Sequence, residues 1–157
     1  MSSARAVSSR HDELTIDATG AEVRRASEWL DASCRQHDVP QALAERLALC
    51  LHEVLANVIN HGGPTALSAP IRLLLDITRN QGSSKISVTV SDAGLPFNPL
   101  SVPQRLLPKT LAEAPEGGLG LVMIRRFADA LDYRHETGHN HLTFGVGWNV
   151  HETASRP

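Results

Sequence analysis

The sequence lacks the features that mark several large classes of protein. It has only two cysteines, Cys34 and Cys50, in helical patterns and without a CxxC motif, so we expect buried thiols rather than a disulfide or a metal site. The formal net charge is -2, from 15 Lys and Arg against 17 Asp and Glu, which gives no general attraction to nucleic acid. No apolar run approaches the roughly 20 residues of a membrane-spanning helix.

The first ten residues also lack the apolar segment of a secretory signal. Residues 1–10 are rich in serine, carry Arg5 and Arg10, and predict a flexible tail. The chain has 157 residues, 41% of them hydrophobic and 20% charged, which suits one folded domain with its own core. We therefore expect a single domain over residues 11–152 of a cytoplasmic protein that does not contact the membrane or nucleic acid directly.

Two stretches in the first half show helical periodicity. Apolar residues recur at helical spacing from Ala21 until His37 and Asp38 end the first helix, and Pro40 suits the first turn of the second. The second helix is predicted to stop at Gly62-Gly63-Pro64. Its continuous apolar stripe consists of Leu43, Leu47, Cys50, Leu51, Val54, Leu55 and Val58.

Alternation of apolar and polar residues predicts the strands. We expect a short first strand at Leu14–Ile16 and a helix over residues 119–130. The other predicted strands form two hairpins, 71–77 with 86–90 and 131–135 with 142–150. This order of elements predicts an α/β (α+β) two-layer sandwich, with a mostly antiparallel mixed sheet and its helices on one face.

Three polar residues lie four apart on the second helix. Glu53, Asn57 and His61 therefore project from one face in successive turns. The carboxylate could take a proton from a hydroxyl or water, and the carboxamide oxygen could ligate a hard cation such as Mg²⁺. The alternative is a solvated polar face with a histidine that suits the negative end of the helix dipole.

Two further motifs carry glycines next to possible ligand-binding groups. Asp92-Ala93-Gly94 directly follows a strand, where a carboxylate can accept a hydrogen bond from an exocyclic amine; a simple turn is the alternative. The run Glu116–Leu121 has three glycines at a predicted helix start, which suits phosphate binding by backbone N–H groups, or else a flexible hinge. No Walker-type motif is present.

These three motifs together resemble the boxes of the Bergerat fold, the ATP-binding fold shared by sensor histidine kinases, type II topoisomerases and heat-shock chaperone ATPases. Glu53-x-x-x-Asn57-x-x-x-His61 is similar to the N box, Asp92-x-Gly94 to the first glycine box, and Gly118-x-Gly120 to the second. The resemblance covers about Leu14 to Val150.

The sequence resembles one branch of that fold in particular: the bacterial anti-sigma factors that are also serine-protein kinases. The chain is similar to this branch in its compact length. The residues that carry the likeness are Glu116-Gly117-Gly118-Leu119-Gly120-Leu121, then Ile124, Arg125 and Asp129, and the ending Gly138-x-Asn140-x-Leu142-Thr143-Phe144.

The resemblance implies a role for each matching residue. Glu53 would be the general base that deprotonates the attacking hydroxyl, and Asn57 would ligate the Mg²⁺ that bridges the phosphates of ATP. Asp92 would bind the adenine amine, with Thr143 helping through a water molecule. Gly94 would lie under the adenine ring.

The same resemblance implies a phosphate site and a lid. Residues of about 98–116 would form the ATP lid, with Arg105 and Lys109 as candidate phosphate contacts. Asn98 stands where many relatives have an acidic residue. The residues expected to contact the nucleotide at the glycine run are Gly117, Gly118, Leu119, Gly120 and Leu121.

The function implied by the resemblance is that of an ATP-dependent serine-protein kinase acting as an anti-sigma factor. It would phosphorylate a small anti-anti-sigma antagonist of the STAS type, sequester a sigma factor in a partner-switching system, and form a homodimer. Two alternatives remain: a non-catalytic ATP-binding partner-switching module, and a simple ATPase in which Glu53 activates water.

Overall fold

The computed structural model of the protein describes residues 7–101 and 118–150. A short 3₁₀ turn at Pro99–Ser101 follows the third strand. Within the described ranges the helices and strands are, in chain order, β1 (Ser8–Ile16), α1 (Gly20–Gln36), α2 (Gln41–His61), α3 (Pro64–Ser68), β2 (Ile71–Asn80), β3 (Ser83–Asp92), α4 (Gly118–Phe127), β4 (Ala130–Glu136) and β5 (His139–Asn149).

The strands form one open sheet in the order β1-β2-β3-β5-β4. Every neighbouring pair is antiparallel, including β3 with β5, whose register places Asp92 opposite Asn140. The predicted α+β class is therefore confirmed, and the sheet is more regular than the mixed one expected. Both predicted hairpins are present, as β2–β3 and β4–β5.

The core lies between the sheet and the helices. Alternate residues of the central strands are almost completely buried on one face, such as Leu73 and Leu75 of β2 and Val88 of β3. They pack with Leu51 and Leu55 of α2 in a single cluster. Each such side chain contributes about 1.5–3 kcal/mol on burial, so this layer fixes α2 on the sheet. The opposite sheet face is polar, as the ion pair between Glu13 and Arg72 illustrates.

The structure differs from the sequence prediction at three places. The helix expected over residues 119–130 ends at Phe127, and Ala130 already begins β4. β1 begins at Ser8, so Ser8, Ser9 and Arg10 lie in a strand rather than in a tail. Their polar composition hid this strand, which the backbone ladder to β2 orders as far as the Ser8–Arg79 pair. The short helix α3 was also missed: Gly63, with a φ of 80°, turns the chain so that Pro64 occupies the first helical turn.

The two cysteines are free and buried, as predicted. Burial raises the pKa of the Cys34 thiol and of the Cys50 thiol to about 11, because an apolar environment disfavours the thiolate. Both thiols are therefore protonated and unreactive at neutral pH. No helix in the described ranges is long and apolar enough to cross a membrane.

A clasp of hydrogen bonds holds α4 against α2 and β5. Nε of Arg46, on α2, donates to the Phe127 carbonyl at the end of α4 (2.9 Å), and Nη2 donates to Oδ1 of Asp129 (3.1 Å). Oδ2 of Asp129 in turn accepts from the backbone N–H of Gly147 (3.0 Å). The orientation of α4, the helix that begins with the glycine run, is thus set by α2.

Candidate functional site

A cavity of about 440 Å³ opens beside the C-terminal half of α2. This volume lies within the range of roughly 300–1,000 Å³ typical of small-molecule sites. Its walls are mainly apolar, with a few polar side chains among them. The residues that line it are Val54, Asn57, Val58, His61, Gly62, Asp92, Leu95, Pro96, Phe97, Pro99, Ile124, Tyr133, Asn140 and Leu142.

The polar face of α2 runs along this cavity. Asn57 is half-buried and His61 is exposed, and both side chains line it. Glu53 lies one turn before Asn57 and is half-buried, but it is not a lining residue. Since an α-helix rises 1.5 Å per residue, Glu53 and His61 lie about 12 Å apart along the axis. The three residues therefore follow one another along one face of α2; Asn57 and His61 reach the cavity, and Glu53 lies beyond its edge.

The backbones of Gly62 and Gly94 lie in close contact at the C-terminal end of α2. The N–H of Leu95 donates to the Gly62 carbonyl (2.9 Å), which ties the loop after β3 to the end of α2. A Cβ on Gly94 would lie 2.7 Å from Oδ1 of Asp92 and 3.0 Å from the Gly62 oxygen. Position 94 therefore requires glycine for this close approach, a constraint that a simple turn would not impose.

Asp92 is the buried carboxylate of the cavity. It ends β3 on the helix-facing side of the sheet and is 7% exposed. Its Oδ1 atom accepts from the N–H of Gly94 (2.8 Å) and from Nδ2 of Asn140 (3.2 Å). Among the described residues, no hydrogen bond is made to Oδ2. One oxygen of the carboxylate is thus held by the protein, and the other can accept from a ligand.

Asn140 and Tyr133 are site residues that the motif reading missed. Both line the cavity, and the Tyr133 hydroxyl donates to Oδ1 of Asn140 (2.5 Å). A sequence signal existed, because the predicted alternation of β5 places Asn140 on the same face as Leu142 and Phe144, which pack toward the helices. The face of β5 that Asn140 occupies was therefore predictable, although its position opposite Asp92 depends on the strand register.

The same alternation explains why Thr143 does not belong to the site. Its side chain points to the opposite face of the sheet, where its hydroxyl is 2.7 Å from the hydroxyl of Thr89. It does not line the cavity. Because successive strand residues project to opposite faces, Thr143 and the buried Phe144 lie on different sides. The expected help of Thr143 in binding adenine is wrong in this arrangement.

The glycine run begins α4, which packs along α2. Gly118, Leu119, Gly120 and Leu121 form the first turn of this helix, whose first backbone N–H groups have no partner within the helix. Ile124, on the next turn, lines the cavity, and Nη2 of Arg125 donates to the Pro99 carbonyl (2.8 Å). The structure therefore places α4 beside Asn57 and the cavity.

Part of the predicted nucleotide site lies outside the described residues. Gly117, Arg105 and Lys109 belong to it, as does most of the lid expected over residues 98–116. At the edge of the described region, Leu95 and Phe97 are exposed beside the cavity. The predictions for the lid stay predictions.

The arrangement suits a ligand with a flat, partly apolar ring and an anionic tail. The ring would lie between the apolar walls, with an amine directed to Asp92. The tail would extend past Asn57 toward the first turn of α4, where N–H groups without an intrahelical partner and the positive end of the helix dipole favour anions.

Comparison with known proteins finds a matching family model, a similar sequence and a similar fold. The family model described as "Histidine kinase-like ATPase domain" matches residues 16–146. The chain is 31% identical over 137 residues to the Serine/threonine-protein kinase BtrW of Bordetella bronchiseptica, covering 87% of this chain and 94% of that protein. Among solved structures, the RsbU and RsbW domains of a Mycobacterium tuberculosis protein have a similar fold, with a TM-score of 0.61 and 17% identity. That match covers 87% of this chain and 32% of the other.

Proposed function

Because the chain belongs to the histidine kinase-like ATPase family, in its anti-sigma-factor kinase branch, we propose that it transfers a phosphoryl group from ATP to a protein serine or threonine. The observation that carries this proposal is the cavity in which Asn57 of α2 and Asp92 of β3 lie together beside α4. The similarity to a serine/threonine-protein kinase over almost its full length supports the same reaction.

The end of the cavity at Asp92 is the proposed adenine site. Oδ2 of Asp92 would accept a hydrogen bond from the exocyclic amine, while Gly94 lets the backbone approach the ring. Leu142 and Ile124 supply apolar surface for the ring.

Asn57 would hold Mg²⁺ through its carboxamide oxygen. Within residues 7–101 and 118–150, no cluster of three His, Cys, Asp or Glu side chains is placed to bind a metal. This fits Mg²⁺, which commonly takes one or two protein oxygens and completes its coordination with substrate phosphates and water. When bound, the ion would neutralise charge on the phosphates. The backbone N–H groups of Gly118, Leu119, Gly120 and Leu121 would bind the same phosphates.

Glu53 would act as the general base. It lies one turn beyond Asn57, on the side away from the adenine end, which is where a terminal phosphate would lie. Among the described residues the carboxylate makes no ion pair or hydrogen bond, so it is available to take the proton of an incoming hydroxyl.

The substrate we propose is a serine of a small STAS-type anti-anti-sigma protein. The unphosphorylated antagonist would occupy this protein and leave a sigma factor free, and its phosphorylation would let the sigma factor be captured. A homodimer in the cytoplasm would carry out this exchange. A non-catalytic ATP-binding module and a simple ATPase are the competing functions.

Incubation of the purified chain with Mg-ATP and a candidate antagonist separates these functions. Phosphoserine on the antagonist supports the kinase, whereas free phosphate without protein phosphorylation supports the ATPase. ATP binding with neither product supports the non-catalytic module. Failure to bind ATP at all contradicts each of the three.

Two substitutions on α2 test the assigned roles. Glu53→Gln should lower transfer by about 10²–10⁴-fold and leave ATP binding nearly unchanged, because it removes only the base. Asn57→Ala should weaken the Mg²⁺-dependent part of ATP binding. Glu45→Gln is the matched control, since Glu45 is an exposed acid two turns earlier on the same helix. Transfer by Glu53→Gln at the unmutated rate would refute the assignment of the base.

A further inference from the structure

A buried amide lies directly opposite the carboxylate of the cavity. Asn140 pairs with Asp92 across β3 and β5, and both side chains face the helices. Asn140 is 6% exposed, so its polar atoms must find partners inside the protein. They do so through contacts with four polar groups in three structural elements, and the two N–H bonds of Nδ2 are shared among three acceptors.

The amide has one orientation that satisfies its neighbours. Nδ2 faces three acceptors: Oδ1 of Asp92 (3.2 Å), the carbonyl of Gly94 (3.3 Å) and the carbonyl of Leu95 (3.0 Å). On the other side, Oδ1 accepts from the Tyr133 hydroxyl (2.5 Å). A rotated amide would direct its oxygen at three oxygens that have no hydrogen to donate, and the Tyr133 hydroxyl would then have to accept rather than donate. The chemistry of the partners therefore fixes the assignment of the two atoms.

This network determines which oxygen of Asp92 is available. Oδ1 already accepts from the Gly94 N–H and from Asn140, which leaves Oδ2 to a ligand among the described contacts. The same amide holds the Gly94 and Leu95 carbonyls, so the carboxylate and the loop beside it are fixed as one unit. A carboxylate held in this way presents Oδ2 to an incoming amine at one fixed position.

We propose that Asn140, oriented by Tyr133, is a positioning residue that gives the site its selectivity for the 6-amino group of adenine. This inference rests on the proposed function, because it assigns a specificity role within the same nucleotide site. Without the network the Asp92 carboxylate could rotate. Its hydrogen bond to the adenine amine would then be no more favourable than the hydrogen bonds that both groups make to water.

The test compares ATP with purine riboside triphosphate, which lacks only the 6-amino group. Dissociation constants are measured by calorimetry, with Mg²⁺, on the full chain. The unmutated protein should bind ATP roughly tenfold or more tightly than the analogue, since hydrogen bonds to charged groups contribute on this order. In Asn140→Ala this ratio should fall close to one.

A milder variant and a matched control complete the design. Tyr133→Phe removes one hydroxyl at constant shape and should reduce the ratio to an intermediate value. Ser91→Ala should leave the ratio unchanged, because Ser91 neighbours Asp92 on β3 but bonds His141 on the opposite sheet face. Thermal melts confirm that each variant is folded. If Asn140→Ala does not fold, Tyr133→Phe alone decides.

The outcomes separate this inference from the function on which it rests. A purely structural role for Asn140 would weaken both ligands equally, so an unchanged ratio in a folded variant overturns the inference and leaves the kinase proposal standing. Failure of the unmutated chain to bind ATP overturns both. A ratio that falls in Asn140→Ala and in Tyr133→Phe, but not in Ser91→Ala, supports the inference.

Discussion

Substituting Gly94 by alanine tests the packing that forms the adenine end of the cavity. The new Cβ would lie 2.7 Å from Oδ1 of Asp92, 3.0 Å from the Gly62 carbonyl oxygen and 3.1 Å from the Gly62 Cα. Ordinary contacts at a Cβ begin at about 3.4 Å. Two of the three neighbours are backbone atoms, and the third is a buried carboxylate held by two hydrogen bonds. None of them is the end of a flexible side chain that could move aside cheaply.

The magnitude follows from the two terms that oppose each other. Overpacking of this kind costs about 1–3 kcal/mol, and a weakened hydrogen bond to the Asp92 carboxylate adds about 1 kcal/mol. Alanine also restricts the unfolded chain, which returns about 0.4–1 kcal/mol. The net loss of unfolding free energy for Gly94→Ala should therefore be about 1–3.5 kcal/mol. For a chain of this length the melting temperature should fall by about 2–14 °C.

The assay is urea denaturation followed by circular dichroism, with Gly20→Ala as the matched control. A Cβ on Gly20 would meet nothing within 4 Å, and this residue begins α1, so the same substitution should be neutral or slightly stabilising there. ATP affinity should fall at least about tenfold in Gly94→Ala, because the new methyl group displaces the carboxylate. If Gly94→Ala is as stable as Gly20→Ala and binds ATP normally, the close approach of the two glycine backbones does not form the site.

Three further predictions follow from other parts of the structure. Thr143→Val should leave ATP affinity unchanged in calorimetry, since this hydroxyl lies on the far face of the sheet; a marked loss would restore the water-mediated role. Raising the pH from 8 to 10.5 should lower the free energy of unfolding by about 2 kcal/mol through each of Cys34 and Cys50. Burial raises the pKa of each thiol to about 11, so the unfolded chain releases these protons at a lower pH than the folded protein does. Urea denaturation of Cys34→Ala and Cys50→Ala should show a correspondingly smaller decline. Arg46→Leu should cost about 1–3 kcal/mol by leaving the carbonyl at the end of α4 without a donor, whereas Arg24→Leu, at an exposed ion pair, should cost less than about 1 kcal/mol; equal losses would contradict the clasp.

The elements with strong hydrophobic periodicity were predictable from the sequence. The stripe that includes Leu51, Leu55 and Val58 predicted α2, and these residues are buried as expected. Likewise, the alternation in β2 and β3 predicted which face of each strand packs on the helices. Such patterns work because burial of one face is the main energetic requirement on each element.

The elements that are ordered by tertiary contacts could not be predicted from hydrophobic periodicity. The beginning of β1 is polar and has no alternation to reveal it, because its order comes from backbone pairing with β2 as far as Arg79. The short α3 depends on the positive φ of Gly63 followed by a proline, which the sequence presents simply as a stop signal. Local chemistry in both places admits several conformations, and neighbouring segments select one.

The site shows the same division between local motif and three-dimensional pairing. Short motifs singled out Asn57 and Asp92, which line the cavity, and Gly94, which packs against Gly62, because each motif depends on spacing along one element. Asn140 was missed, although it lies in the motif quoted for the resemblance, because its position opposite Asp92 depends on the strand register. The same motif suggested Thr143 as a site residue, but the two-residue period of β5 directs the side chain of Asn140, not that of Thr143, toward the cavity. When a motif lies on a strand, the period therefore decides which of its residues can reach the site, before residue type is considered.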